Sequence, residues 1–332
     1  MDRTSSARRW LVTGLAGAAI AVAAGLTACI ADMNRITERL ASGSDLVATR
    51  HGPIEFTAWG DGPAVLVVHG AGGGYDQGRL LPMMFGGDGY RWISVSRFGY
   101  LRSQLPEDAS TVSQAEAFAD LIDALGVDKV AVLAMSGGVP PALQFVRLFP
   151  ERTSALVLLS AAPYTPLTAA DQDLAIPAWV YQALFSSDFI FWTVVRLFPS
   201  QLDAFFDVSA EARAHLSKQD QAFVSGLVDA FLPVTGRVAG LRNEGAAIDP
   251  STGYDLSAIK APTLVVHAQD DGINPFAIGV QTAESIAGAE LMALPDGGHL
   301  LLGHADEIRD RIGTFLRASY TAPAELDPKA SP

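Results

Sequence analysis

The chain of 332 residues contains a single cysteine, Cys29, so no internal disulfide can form and no cysteine-based zinc site can be assembled. Positive charge is also scarce. Lys and Arg together number 23 against 36 Asp and Glu, a formal net charge of −13, and no basic stripe is present. That balance argues against nucleic acid as a partner, because phosphate binding requires clustered Lys and Arg. Two phosphate-binding signatures are missing as well: no Gly-Lys-Ser/Thr closes a glycine-rich loop, and no Gly-x-Gly-x-x-Gly opens a helix. What remains is an apolar chain, 49% hydrophobic and 18% charged, long enough for a sizeable core in one large or two small domains.

The lone cysteine falls in an informative place. Arg3, Arg8 and Arg9 precede an uncharged run from Trp10 to Ile30 that is rich in Ala and Gly. A basic start, an apolar run and small residues before a cut site read as an export signal. Leu26-Thr-Ala-Cys29 resembles the lipobox of bacterial lipoproteins, in which cleavage precedes the cysteine and its thiol carries a diacylglyceryl group. The same run is also long enough for one uncleaved transmembrane helix, or for an ordinary signal cut near Ala28. Each reading places residues 1–28 as signal or anchor and 29–45 as a polar tether. Each also exports the remainder and, in the first two cases, attaches it to a membrane through the N-terminus.

Beyond the tether, Leu46–Thr49 and Ile54–Trp59 read as a hairpin and Ala64–His69 as a strand buried on both faces. Arg91–Val95, Val130–Met135, Ala155–Ser160, Thr263–His267 and Leu291–Leu294 are further short apolar strands. Helical spacing separates them over Val112–Leu125, Pro140–Phe149, Phe276–Ile286 and Ala305–Ala318. Strands alternating with amphipathic helices indicate an α/β fold with a parallel sheet. Tyr164–Tyr254 breaks the rhythm with helical stretches at Ile176–Phe185, Phe189–Phe198, Glu211–Asp220 and Phe223–Phe231. Half of the 16 Phe lie there, with Trp179 and Trp192. An aromatic-rich helical insert either roofs an apolar substrate pocket, packs its rings as its own core, or faces a bilayer. Thr321–Pro332 reads as a frayed tail.

The chemistry concentrates at strand ends. Val130-Ala-Val-Leu-Ala-Met-Ser-Gly-Gly-Val-Pro140 is a strand, a small-residue turn and a helix, with Ser136 at the apex. This is the pattern of a nucleophile elbow, with Ala134 standing where the first glycine of Gly-x-Ser-x-Gly is usual. A serine hydroxyl needs a base, and the base needs an orienting acid. Ala268-Gln-Asp-Asp-Gly-Ile-Asn-Pro275 supplies the acid after one strand, and Pro295-Asp-Gly-Gly-His299 the base after the next.

The order Ser136, Asp271, His299 resembles that of the α/β-hydrolase fold superfamily, in its lidded branch. His69-Gly-Ala-Gly, Ala134-Met-Ser-Gly-Gly138, Asp271 with Pro275, and Gly298-His299 carry the likeness over about Leu46–Arg317. It implies a mostly parallel eight-stranded sheet with helices on both faces. The core would span 46–163 and 258–320, with a helical lid inserted at 164–257. It also implies catalysis by Ser136, Asp271 and His299. The acid of the family commonly lies four residues before a proline, which favours Asp271 over Asp270. His304 lacks the Gly-Gly lead of His299. His69 would hold the glycine loop, His267 would be a core residue or stand behind the catalytic side chains, and His51 and His215 would be exposed. Asp296 would either tune the histidine loop or be solvated. Oxyanion donors would be the N–H of Ala71 or Gly72 together with that of Gly137.

The implied reaction is hydrolysis of a small apolar ester, with neither metal nor cofactor. Cofactor-free haloperoxidase, prolyl peptidase and C–C hydrolase chemistry share the same residues, and some proteins of this fold only bind. The sequence carries no signal for oligomeric state.

Overall fold

The computed structural model describes residues 3–164, 180, 183–198, 202–208, 210–249 and 251–321. Eight strands form one sheet in the order β1-β2-β4-β3-β5-β6-β7-β8. The hairpin is β1 (Asp45–Thr49) and β2 (Gly52–Trp59), antiparallel to each other and, through β2, to β4 (Arg91–Val95). All other pairings are parallel and involve β3 (Ala64–Val68), β5 (Val130–Met135), β6 (Thr153–Leu159), β7 (Thr263–Ala268) and β8 (Glu290–Leu294).

The central strands are apolar at consecutive positions because both faces are covered. Val65, Val67, Leu133, Val157 and Val266 point into one core with helices α2 (Tyr75–Phe85) and the C-terminal Ala305–Thr321. Leu66, Val68, Val132, Leu158 and Val265 point into the other, against α3 (Thr111–Ala124) and α4 (Val139–Leu148). From β3 the chain steps outward to β4, and from β5 it steps the other way to β6. The carboxyl ends of β3 and β5 therefore flank the point where the strand order reverses, where open α/β sheets place ligands.

Between β6 and β7, the described residues hold helices and turns. These are α5 (Asp188–Leu197), α6 (Ala210–His215), α7 (Lys218–Asp229) and α8 (Val238–Arg242), with short turns at Asp203–Phe206 and Glu244–Ile248. Sequence spacing placed one helix over Glu211–Asp220 and another from Phe223. Instead the break comes at Ser217, whose hydroxyl accepts from the Asp220 N–H and caps α7. The helix expected over Ile176–Phe185 and the residue Trp179 lie largely outside the described residues, as does the tail after Thr321. The described lid aromatics pack on one another. Phe185 lies 5.3 Å from Phe191 and 5.7 Å from Phe231, and Phe206 lies 5.7 Å from Phe231, centroid to centroid.

The segment 29–45, expected as a polar tether, is helical as far as Ser42. One helix, α1, runs unbroken over Arg3–Ser42. Cys29, Ile36 and Leu40 are buried and Met33 packs beside them, at alternating spacings of four and three that make one helical stripe. Asp32 fixes this end to the lid, accepting from Trp192 Nε1 at 2.8 Å and from Arg196. Towards the N-terminus the helix is exposed and apolar, with Val12, Leu15, Ile20, Val22 and Leu26 open to the surroundings. It is the one helix among the described residues long and apolar enough to cross a membrane.

The remaining helices are α9 (Phe276–Ser285), between β7 and β8, and α10, the C-terminal Ala305–Thr321.

Candidate active site

Ser136 stands at the C-terminal end of β5, in a single turn Ser136–Gly138 that leads directly into α4. Its φ of +51° lies in the left-handed region that a side chain disfavours, so the turn holds the serine under strain and projects its hydroxyl from the sheet. The turn needs close approach to β3: a Cβ on Gly138 would stand 2.5 Å from the Val68 carbonyl oxygen. Ala134, in place of the usual glycine, is fully buried within the sheet and pairs with Val68 on one side and Leu158 on the other. Its methyl is accommodated there.

The acid and base loops bring their side chains to this hydroxyl. His299 Nε2 is 3.0 Å from Ser136 Oγ, and His299 Nδ1 is 3.0 and 3.2 Å from the two oxygens of Asp271. A carboxylate only accepts, so Nδ1 carries the proton, leaving Nε2 free to accept from the serine. His299 and Asp271 are buried, and Ser136 is half-buried. Burial pushes the Asp271 carboxyl upward. Hydrogen bonds from His267 and His299 and from the backbone N–H of Asn274 outweigh it, holding the group well below the usual carboxylate range.

Neighbours without any signal in the sequence complete this arrangement. Ser160 donates to the His299 carbonyl at 2.8 Å, and Asn274 Nδ2 donates to the Ser160 carbonyl at 2.9 Å. The lid contributes Asp207, whose Oδ2 accepts from the Gly272 N–H at 2.8 Å. Such contacts join residues far apart in the chain and leave no local pattern to read.

The rival residues fall elsewhere. Asp270 accepts from the Gly298 N–H at 2.9 Å and so braces the histidine loop. His304 pairs with Asp296 at 2.8 Å and not with Ser136, and Asp296 is exposed. His267 is fully buried, with Nε2 3.0 Å from the Asn274 carbonyl and 3.3 Å from Asp271. His215 is exposed, but His51 is not: it is half-buried and lies 2.7 Å from Glu116. The α3 face beneath the hairpin supplies that carboxylate.

The glycine loop lies across the elbow, so that a Cβ on Gly70 would stand 3.4 Å from Ser136 Cβ. His69 holds it, with Nδ1–H donating to the Gly70 carbonyl at 2.6 Å and Nε2 accepting from the Arg97 N–H at 3.0 Å. Burial, reinforced by the Arg97 charge, keeps this imidazole well below its ordinary pKa and therefore neutral. Of the two donors expected in the loop, Gly72 is spoken for. Its N–H donates to the Tyr100 hydroxyl at 3.2 Å. The Ala71 N–H instead approaches Gly137, 3.1 Å from where a Gly137 Cβ would be. Among the described residues, no group of three or more His, Cys, Asp or Glu side chains could hold a metal ion.

Residues 63–305 match the profile of the alpha/beta hydrolase fold family. The chain belongs to that family. Among curated alpha/beta hydrolase relatives, "uncharacterized hydrolase YcgS" of Bacillus subtilis (strain 168) is 26% identical over 265 residues, covering 75% of this chain and 89% of its own. The "bifunctional esterase/perhydrolase DCH" of Acinetobacter calcoaceticus is 24% identical over 283 residues, covering 82% and 99%. Other relatives carry the names 2-hydroxy-6-oxo-6-phenylhexa-2,4-dienoate hydrolase and non-heme chloroperoxidase. Of solved structures, an alpha/beta hydrolase fold protein from Nakamurella multipartita superposes with a TM-score of 0.69 at 29% identity, covering 83% of this chain and 99% of its own.

Proposed function

We propose that this alpha/beta hydrolase is a serine hydrolase acting on small, uncharged carboxylic esters. The observation that carries the reading is the continuous line of hydrogen-bonding distances from Ser136 Oγ through His299 to Asp271. In the proposed reaction Ser136 Oγ attacks the ester carbonyl carbon while its proton passes to His299 Nε2. Asp271 holds the ring and stabilises the imidazolium that forms. The Ala71 and Gly137 N–H groups receive the oxyanion, a contribution worth about 3–4 kcal/mol per donor in related sites. The tetrahedral intermediate expels the alkoxide, which takes the proton from His299 and leaves as the alcohol. Water then attacks the acyl-serine, losing its proton to His299, and the acid is released with Ser136 reprotonated. Among relatives, the name esterase/perhydrolase favours ester chemistry, while the dienoate hydrolases and chloroperoxidases mark other reactions for which the same three residues would serve.

The test is turnover of p-nitrophenyl esters of graded chain length by the wild type and by Ser136→Ala. Hydrolysis that falls by about a thousandfold or more in the variant is expected. Equal turnover by both proteins would exclude Ser136 as the nucleophile.

We also infer attachment to a membrane through α1. The exposed apolar half of α1 is continuous with a half that docks one stripe on the protein and is tied to the lid through Asp32, which supports a helix that stays on the protein. Burial of Cys29 favours an uncleaved anchor over lipidation, since a diacylglyceryl thioether would have to be accommodated on a thiol packed against the domain. Mass spectrometry of the protein recovered from membranes should find the N-terminal segment intact. A mature N-terminus at a lipid-modified Cys29 would overturn this reading.

A further inference from the structure

Beside the oxyanion amides lies a charged cluster that the proposed reaction does not use. Arg97, just after β4, is almost fully buried. Its Nη2 donates to the Gly70 carbonyl at 3.1 Å, and both terminal nitrogens donate to the carboxylate of Glu244, Nη1 at 3.2 Å. Tyr100 donates its hydroxyl to the same carboxylate, and the Arg97 guanidinium lies 5.1 Å over the Tyr100 ring. Glu244 belongs to the lid, where its neighbours are pinned to the core: Gly240 N–H donates to the Gly99 carbonyl and Asn243 Nδ2 to the Ala109 carbonyl, both at 2.9 Å.

The carboxylate reaches the elbow itself. A Cβ on Gly137 would stand 2.7 Å from Glu244 Oε2, 3.1 Å from the Ala71 nitrogen and 3.3 Å from Arg97 Nη2. Only glycine after the nucleophile leaves room for a carboxylate there. A planar guanidinium fork and a phenol converging on one point form a receptor for a carboxylate, and the carboxylate it holds is the chain's own. The fork is not exhausted: among the described residues, Arg97 Nε is buried without a hydrogen-bond partner.

We propose that Glu244 determines which esters the site accepts. It fills and neutralises a carboxylate subsite made by Arg97 and Tyr100, and so restricts the serine to substrates uncharged next to the scissile carbonyl. The proposal rests on the serine-hydrolase reading and names its substrate class. An ester bearing a carboxylate on the acyl side meets like charge at Glu244, or must displace it from two partners. An uncharged acyl group meets an ion pair of no net charge. Glu244→Gln keeps the shape but leaves the Arg97 cation unpaired beside the oxyanion amides, where it would attract an anionic group. Discrimination of this kind works by repulsion of the wrong ligand as much as by attraction of the right one.

Two esters of matched length decide the matter: p-nitrophenyl pentanoate, uncharged, and mono-p-nitrophenyl glutarate, which carries a terminal carboxylate. The wild type should favour the pentanoate in kcat/KM by about tenfold or more, and Glu244→Gln should shift that ratio towards the glutarate by about tenfold, chiefly through KM. The gain should shrink as salt is added. A wild type that takes both esters equally, or a folded Glu244→Gln variant whose ratio moves less than about threefold, overturns the proposal. Calorimetric binding of free glutarate carries the same test without turnover. The variant should bind it about tenfold more tightly than the wild type, and equal affinities overturn the proposal. Should neither protein hydrolyse either ester, the serine-hydrolase reading fails while the binding comparison still decides the role of Glu244. If Glu244→Gln does not fold, the double variant Arg97→Met, Glu244→Leu removes both charges together. It should retain the wild-type preference for pentanoate, and a preference for glutarate would overturn the proposal.

Discussion

Ser136 is one of the few residues other than glycine with a positive φ, and its strain is confined to a turn whose neighbours are small. That turn was legible because its constraints are local: small residues must follow one another, and the strand and helix that frame them have their own periodicities. Asp271 and His299 were legible for the same reason, each lying on a short loop directly after an apolar strand. Gly72, by contrast, could not be separated from Ala71. Its N–H is taken by Tyr100, a residue from the next strand end, and no spacing within the glycine loop records that contact. Glu244 was equally silent, since its partner Tyr100 is 144 positions away.

The depressed pKa of Asp271 has a consequence for stability. Its carboxylate is favoured in the folded state relative to an ordinary value of 3.8, so the folded protein gains stability that is complete above that value. As pH falls below it, the unfolded chain takes up the proton first and the gain is lost. Between about pH 5 and pH 3 the unfolding free energy of the wild type should fall more steeply than that of Asp271→Asn. Parallel slopes in urea titrations would show that Asp271 is not stabilised as the geometry indicates.

At the scale of elements, the glycine loop and the lid are a single unit joined by Arg237. This side chain is fully buried and donates to the carbonyls of Gly73, Phe231 and Leu232 and to both oxygens of Asp76. It thus ties the stretch after α7 to the start of α2. Replacement by Met leaves Asp76 and three carbonyls without their donor, and loss of one partner from a buried pair costs about 3–5 kcal/mol. Arg237→Met should lose that much in equilibrium unfolding, together with the proposed ester hydrolysis as the loop loosens. A change under about 1 kcal/mol would show that the loop is held by its backbone alone. The lid was visible in the sequence as a break in strand rhythm and an excess of Phe. Its helix boundaries were not, because the cap at Ser217 falls inside the stretch Glu211–Asp220 that reads as one helix, and moves the break six residues ahead of Phe223. The excess of Phe has a plain cause among the described rings, which form the lid's own core.

For the whole molecule, all eight strands were visible in the sequence, the inner ones as apolar runs buried on two faces, while their order in the sheet is set by pairings between distant segments and was expected only from the family resemblance. The segment between the export-like run and β1 is polar at Asp32, Arg35, Glu38 and Arg39, which masks its apolar stripe. The stripe Cys29, Met33, Ile36 and Leu40 is spaced for one face of a helix, and that face is what the domain buries. Leu40 also accepts from the Tyr75 hydroxyl through its carbonyl at 2.7 Å. Removal of residues 1–28 should therefore leave the melting temperature of the domain nearly unchanged. Removal of residues 1–42 forfeits the burial of Ile36 and Leu40, about 1.5–3 kcal/mol each, and should lower it clearly. Equal melting temperatures for the two truncations would show that the docked half of α1 contributes nothing.

Whether Ser136 is an activated nucleophile, as proposed, is reported directly by a fluorophosphonate probe, whatever the substrate. Peptide mass spectrometry of the labelled full-length protein should place the adduct on Ser136, with no adduct in folded Ser136→Ala. Folded wild-type protein that takes no label, or takes it at another residue, would contradict the assignment.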